Sequence, residues 1–312
     1  MAEFTIITPV LNGAAHIERC ILSVARQNVA VQHIIMDGGS TDGTQNIIAQ
    51  HAHLISFWES NADEGQSHAI NKGLAMAEGR IVNWLNADDT LCDGALLKVA
   101  ALMENDTDVV IGRCAHINMA GETVTVGGTQ VFPTLEQTLG RYSMGQPSHF
   151  YRTSLLKELG GLNPALHYAM DMELWFRYLL RHGQRRVRVT DEILSHFLLR
   201  DDAKSQQMAH AMDAEKYGVY HALLKGQKMP DALQKWLDGF PIPDNVAFER
   251  DFALNWPRVL AHFALPLLPK AYAVRDRALL HALLPSVNGA KLLSATDRFL
   301  WELRLLKIRL NG

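Results

Sequence analysis

The chain has 312 residues, 48% of them hydrophobic and 20% charged, and a net charge of −3. That is an ordinary globular composition, with no basic excess to call for nucleic acid. No run of about 18 apolar residues occurs, so no helix is expected to span a bilayer.

The length predicts one catalytic domain of roughly 200–250 residues plus an appendage. The start, MAEFTIITPV, enters a strand pattern directly and lacks the basic and apolar regions of a signal peptide. Cys20, Cys92 and Cys114 are scattered, which predicts reduced thiols in a cytoplasmic protein. The charge is uneven. Residues 252–312 hold nine Lys/Arg and three Asp/Glu, +6, so residues 1–251 carry −9.

In chain order, Phe4 to Thr8 reads as a strand stopped by Pro9, and a helix follows to Gln27 with Ile17, Ile21 and Val24 on one face. Val31 to Met36 is a second strand. It runs into DGGSTDGT (Asp37 to Thr44), a loop whose Ser40 or Thr41 is expected to cap the next helix. A third strand is expected at Leu54–Trp58, a helix at Ser67–Ala77 and a fourth strand at Ile81–Leu85. Strand and helix alternate, which predicts a parallel α/β sheet with ligands at the carboxyl ends of its strands. No G-x-G-x-x-G follows the first strand and no Walker A sequence occurs, which argues against a dinucleotide or P-loop site.

The fourth strand ends in Asn86-Ala87-Asp88-Asp89. Adjacent carboxylates at a buried strand end repel one another and lose hydration. Either they hold a divalent cation, or an Asp simply caps the next helix. Further on, a helix is expected at Asp93–Leu102, a strand at Val109–Ile111, a hairpin at His116–Val126, and helices at Thr134–Arg141 and Thr153–Leu159. Another helix begins near Met170, with Asp171 and Glu173 in its first turn, where a carboxylate can serve the helix dipole or chemistry. Short strands are expected at Val187–Val189 and Ile193–Phe197. Beyond Asp202 the pattern is helical, over about 203–224, 230–239, 258–284 and 290–309. The basic, amphipathic stretch 258–312 reads as a cap on the domain, an oligomer interface or a surface for an anionic membrane.

Four blocks together resemble the inverting family-2 glycosyltransferases of the GT-A fold. They are ITPVLNGAAHIERCILSVARQ, IIMDGGSTDGT, ESNADEGQSHAINKGLAMAEGRIVNWLNADD and QPSHFYRTSLLKELGGLNPALHYAMDMELWFR. They stand in the family's order and span about 4–200. The resemblance implies a mostly parallel α/β sheet flanked by helices. A GT-A domain would cover 1–202, with a nucleotide-sugar half at 1–112 and an acceptor half at 113–202, and a helical extension would cover 203–312.

The resemblance also implies transfer of a sugar from a nucleotide-diphosphate sugar to a glycan or lipid-linked glycan hydroxyl, as in bacterial surface polysaccharide assembly at the inner face of the membrane. Asp89 would ligate Mg²⁺ or Mn²⁺, and Asp88 would contact the donor ribose or a metal-bound water. Pro9, Leu11, Asn12, Asp37, Asp63 and Gln66 would face the nucleotide. Asp171 would be the general base, with Glu173 its rival about 200° away around the helix. His149, Tyr168, Glu173 and Trp175 would lie on the acceptor side.

Two positions depart from the family pattern. Gly38 replaces the second acid of D-D-x-S, so the nucleobase stays open. Arg200 stands where relatives carry a His near the metal, and Arg would pair with a diphosphate oxygen rather than ligate metal. His196 lies nearby but out of register, as a structural His would. A nucleotidyltransferase or a sugar-nucleotide-binding pseudoenzyme are the alternatives. The first should carry a basic Gly-rich loop after the first strand, and the second should have lost the acids.

Overall fold

The structure, a computed structural model, describes residues 2–199, 209–250 and 253–310. Arg200 and the expected helix start at 203–208 lie outside the described residues.

The first half is a wound α/β unit: β1 (Phe4–Val10), α1 (Ile17–Ala25), β2 (Val31–Asp37), α2 (Thr44–Gln50), β3 (Phe57–Ser60), α3 (Gln66–Ala75) and β4 (Ile81–Trp84). These four strands lie in the order β3-β2-β1-β4, all parallel. β1 is buried along its whole length because helices cover both faces of the sheet, which explains why it is mostly apolar, with only Thr5 and Thr8 between its apolar residues. Phe4 and Ile6 pack with Cys20 and Val24 of α1 on one face, and Ile7 packs with Ile70 and Leu74 of α3 on the other. Gly79 lets the chain cross this centre, since a Cβ there would come within 2.4 Å of the Phe4 carbonyl carbon. The third strand starts later than expected. Ala52–Leu54 closes a 3-10 turn, with Leu54 N–H donating to His51 O at 2.9 Å, and pairing with β2 begins at Phe57 opposite Ile34.

The second half continues with β5 (Thr90–Leu91), α4 (Ala95–Leu102), β6 (Val109–Ile117), β7 (Thr123–Gly128), α5 (Leu135–Gly140), β8 (His149–Arg152), α6 (Thr153–Glu158), α7 (Met170–His182) and β9 (Val187–Leu198). β8 inserts between β4 and β6, antiparallel to both, so the sheet becomes mixed beyond its parallel core. The four-residue β8 and two-residue β5 carry too little pattern to read from sequence. The expected strand at Val109 and the first arm of the hairpin are one strand, β6. The two short strands at Val187 and Ile193 are likewise one, β9, parallel to β6 with register shifts around Arg113.

Among the described residues six helices follow: α8 (Ala209–Leu224), α9 (Asp231–Leu237), α10 (Trp256–Ala264), α11 (Leu267–Ala273), α12 (Arg277–Gly289) and α13 (Ala295–Leu310). The expected span 258–284 is broken by its own caps. The Asn255 side chain accepts from Arg258 N–H, and that of Asp276 from Leu279 N–H. The hydrophobic cluster around α3 and α7 runs on without a gap into Tyr220, Leu237, Phe263 and Leu283, so these helices share the catalytic half's core. Among the described residues no helix is long and apolar enough to cross a membrane.

Candidate active site

The loops after β1 and β2 are tied to each other. Asn12 takes a left-handed backbone (φ +52°), a conformation that asparagine tolerates better than most residues. Its N–H donates to Ser40 Oγ (2.7 Å) and its Oδ1 accepts from Thr41 N–H (2.9 Å). Gly13 N–H donates to Thr44 Oγ1 (2.9 Å) and Ala14 N–H to Asp42 Oδ2 (3.0 Å). Ser40 and Thr41 are therefore spent on this seam. α2 is capped instead at Gly43, which has a left-handed backbone, and the expected Ser/Thr cap is not formed. Asp37, buried at the end of β2, accepts from Ser40 N–H (3.0 Å) and from the Ser40 and Ser60 hydroxyls. Its carboxylate organises three strand ends. Pro9 is buried in β1, and Leu11 stands 62% exposed beside this seam.

Asp63 uses Oδ1 to accept from Gly65 N–H at 2.9 Å, which sets the turn into α3. Its Oδ2 lies 3.0 Å from where a Cβ on Gly38 would stand. A side chain at position 38 would meet a carboxylate from the loop after β3.

At the end of β4 the chain turns tightly, with Asp89 N–H donating to Asn86 O at 3.0 Å. Asp89 is 1% exposed. It accepts from Leu198 N–H and Asn86 Nδ2, both at 3.4 Å. Asp88 is half-buried and faces a cavity of about 530 Å³. Among the described residues no group of three or more His, Cys, Asp or Glu could hold a metal unaided. Two adjacent carboxylates nevertheless fit Mg²⁺ or Mn²⁺, ions that usually take one or two protein carboxylates and complete their shell with substrate phosphate and water. His196 has no part in this pair. Its Nδ1 lies 3.3 Å from Thr90 Oγ1, and Cys92 packs against the ring.

The same cavity is lined by Gln66, Trp84, Gln146, Tyr168 and Asp171. Gln66 donates to Asn86 Oδ1 at 2.6 Å, which links α3 to the β4 turn. Gln146 donates to Trp84 O at 2.7 Å, and the buried Asn83 amide to His149 O at 2.6 Å, so β4 also fixes the acceptor-side wall. Asp171 is half-buried at the start of α7. It does not cap the helix: the turn into α7 is held instead by Glu215 of α8. That carboxylate accepts the N–H groups of His167 (2.9 Å), Tyr168 and Ala169 (both 2.6 Å). Asp171 is left to face the cavity. Loss of hydration pushes its pKa up to about 6, and hydrogen bonds from Met172 N–H and the Tyr142 hydroxyl offset only part of that rise.

Other residues expected on the acceptor side prove to be core. Glu173, the rival base, is 1% exposed. It is gripped bidentately by Arg177 (2.7 and 2.8 Å), and the same Arg177 also donates to the carbonyls of Leu159 and Gly161. The 200° between positions 171 and 173 turns Glu173 into the protein. Trp175 is 1% exposed and stacks on Tyr178 (5.4 Å). His149 is fully buried and packs edge-on to Trp175 (5.6 Å), with Thr129 and Tyr151 on its ring nitrogens. None of the three lines the cavity; an apolar neighbourhood in the sequence was in their case a packing signal. Among the wall residues that sequence reasoning missed are Tyr142 and, from α8, Met212, Asp213 and Lys216. Those on α8 lie outside the family blocks and carry no local signature.

The profile of the family described as Glycosyl transferase family 2 matches residues 5–156. A PGL/p-HBAD biosynthesis glycosyltransferase of Mycobacterium bovis is 32% identical over 181 residues, 56% of this chain and 68% of that protein. An uncharacterized glycosyltransferase of Rickettsia typhi is 25% identical over 191 residues, 56% of this chain and 58% of that protein. In fold, S. aureus TarS bound to UDP-GlcNAc superposes with a TM-score of 0.59 at 19% identity, over 92% of this chain and 81% of that one. The mannosyltransferase PcManGT of Pyrobaculum calidifontis, in complex with GDP-Man and Mn²⁺, gives 0.54 at 18% identity, over 99% and 86%. The chain belongs to glycosyl transferase family 2: it is a glycosyltransferase with the GT-A fold.

Proposed function

We propose that the enzyme moves a sugar from a nucleotide-diphosphate sugar to a hydroxyl of a glycan or lipid-linked glycan, inverting the anomeric centre. The observation that carries this reading is the placement of Asp171, with its raised proton affinity, in one cavity with Asp88. The nucleotide would lie over the Asn12–Ser40 seam and Asp63, and its diphosphate at Asp88 and Asp89. Asp88 is the more forward acid, with Asp89 held beneath it by Leu198 N–H. A divalent cation there would stabilise charge on the leaving diphosphate as a Lewis acid. Asp171 takes the proton of the acceptor hydroxyl as that oxygen attacks from the face opposite the diphosphate. Tyr142, hydrogen-bonded to Asp171, keeps the carboxylate aimed into the cavity. TarS with UDP-GlcNAc and PcManGT with GDP-Man and Mn²⁺ are the similar folds in which such donors are held.

A membrane contact, read from 258–312, narrows to α13. The apolar residues of α10–α12 are largely spent on the core, whereas Phe299, Leu300, Leu303 and Leu306 of α13 are 44–58% exposed beside Arg298 and Arg304. An anionic lipid surface complements that face.

The test is nucleotide release from a panel of UDP- and GDP-sugars with Mn²⁺, followed from pH 4.5 to 8. Release from one donor is expected. Its kcat/KM should fall about tenfold per unit below pH about 6, where Asp171 gains its proton, and stay level above. Activity unchanged down to pH 4.5 would remove Asp171 as base.

A further inference from the structure

A second cavity of about 250 Å³ adjoins the first and shares two wall residues with it, Tyr142 and Lys216. Its wall comes from residues 130–143 and from α8, α10 and α11, so it holds none of the strand-end residues assigned to the nucleotide. Among the described residues three cations line it, Arg141, Lys216 and Lys270, and no carboxylate does. The Arg141 guanidinium stacks over Phe132 at 4.9 Å. Lys270 Nζ lies 3.2 Å from Asp213 Oδ2 and 2.9 Å from the Tyr217 hydroxyl. Lys216 pairs with no carboxylate among the described residues, and its Nζ stands 5.7 Å from the Tyr217 ring centre. Burial and the neighbouring Lys270 lower its pKa and the Asp213 carboxylate offsets only part of that, which marks an ammonium short of hydration.

We propose that this side chamber binds an anionic group of the acceptor, a phosphate ester or a carboxylate, through Lys216 and Lys270, and so sets which hydroxyl reaches Asp171. An oxyanion there would add to the partial counter-charge that Asp213 gives Lys216. Tyr142, on the seam between the chambers, would stand between the bound anion and the base. The acceptor class is then a polyol or sugar with a phosphate or carboxylate a few bonds from the reacting hydroxyl. The word acceptor rests on the transfer reading above; the anion site does not, because it can be measured without turnover.

The experiment is calorimetric binding of glycerol 3-phosphate, glycerate and glycerol to the full chain at low salt, with UDP binding in the presence of Mn²⁺ measured on the same samples. At least one of the two anions should bind tenfold or more tightly than glycerol, and the tighter one names the acceptor's anionic group. Lys216→Met and Lys270→Gln should each weaken it roughly tenfold, the loss of one charge-assisted hydrogen bond, and Lys216→Arg should restore most of it. Nucleotide binding should stay unchanged in these variants, and Asp89→Ala should leave the anion affinity intact. Equal binding of all three probes would overturn the proposal. So would anion binding that UDP displaces and Lys216→Met leaves untouched, since that places the anion at the donor site.

Discussion

Asp171→Asn is expected to lower sugar transfer by roughly 10²–10⁴-fold, the usual worth of a positioned general base, while nucleotide affinity stays within about twofold. Asn keeps the size of Asp and an acceptor for the Tyr142 hydroxyl, so the cavity wall is preserved. It cannot take a proton from the acceptor. The same change should not harm the fold. The folded carboxyl holds its proton more tightly than an unfolded one, whose pKa is near 3.8, so stability falls as pH rises from about 4 to about 6. Above pH 6 the ionised Asp171 is a cost, and its replacement should be neutral or should raise stability by on the order of 1–3 kcal/mol. Steady-state transfer and a thermal melt at pH 7 check the two halves together. A variant that turns over normally would remove Asp171 from the mechanism, and one that fails to fold would mean that the carboxylate is structural.

Asp89→Ala carries the second large effect. On the proposed reading the pair Asp88–Asp89 would share a cation with a diphosphate, and removing the buried member should abolish the Mn²⁺-dependent part of nucleotide affinity. Calorimetry of UDP and GDP with and without Mn²⁺ is expected to show the metal tightening binding at least tenfold in the wild type and not in the variant. The Leu198 N–H would lose its acceptor as well, so a lowered melting temperature should accompany the loss. An unaltered Mn²⁺ dependence would show that the cation, if one binds, is held elsewhere.

Much of the fold was legible in the sequence, and so was the bringing together of Asp88 and Asp171. Apolar runs ending in polar loops marked β1, β2 and β4, because strands buried on both faces must be apolar and their ends must carry the chemistry. The two acids after β4 and Asp171 in the first turn of α7 stood out because carboxylates are costly at such places. The residues that were misplaced share one physical cause. Glu173, Trp175 and His149 sit in the right segment, but which way a side chain turns depends on the helix phase and on partners far away in sequence. Arg177 holds Glu173, and Thr129 meets His149. The contribution of α8 was not legible at all. Glu215 secures the turn into α7, and the Tyr220 hydroxyl accepts from Tyr142 N–H at 3.2 Å, yet neither has a local signature. They matter because long-range packing brings α8 against the cavity. Asp63 was read as facing the nucleotide, but its closeness to Gly38 shows only in three dimensions. That closeness sets the Asp63 carboxylate beside the position where Gly38 departs from the family pattern.

The central claim, an in-line displacement with Asp171 opposite the diphosphate, is tested most directly by the anomer first released when water replaces the acceptor. An α-linked nucleotide sugar that the enzyme hydrolyses would be followed by ¹H NMR in the first minutes, before mutarotation. The β-anomer should appear first, with its rate falling in Asp171→Asn. First release of the α-anomer would contradict inversion and the role of Asp171 with it.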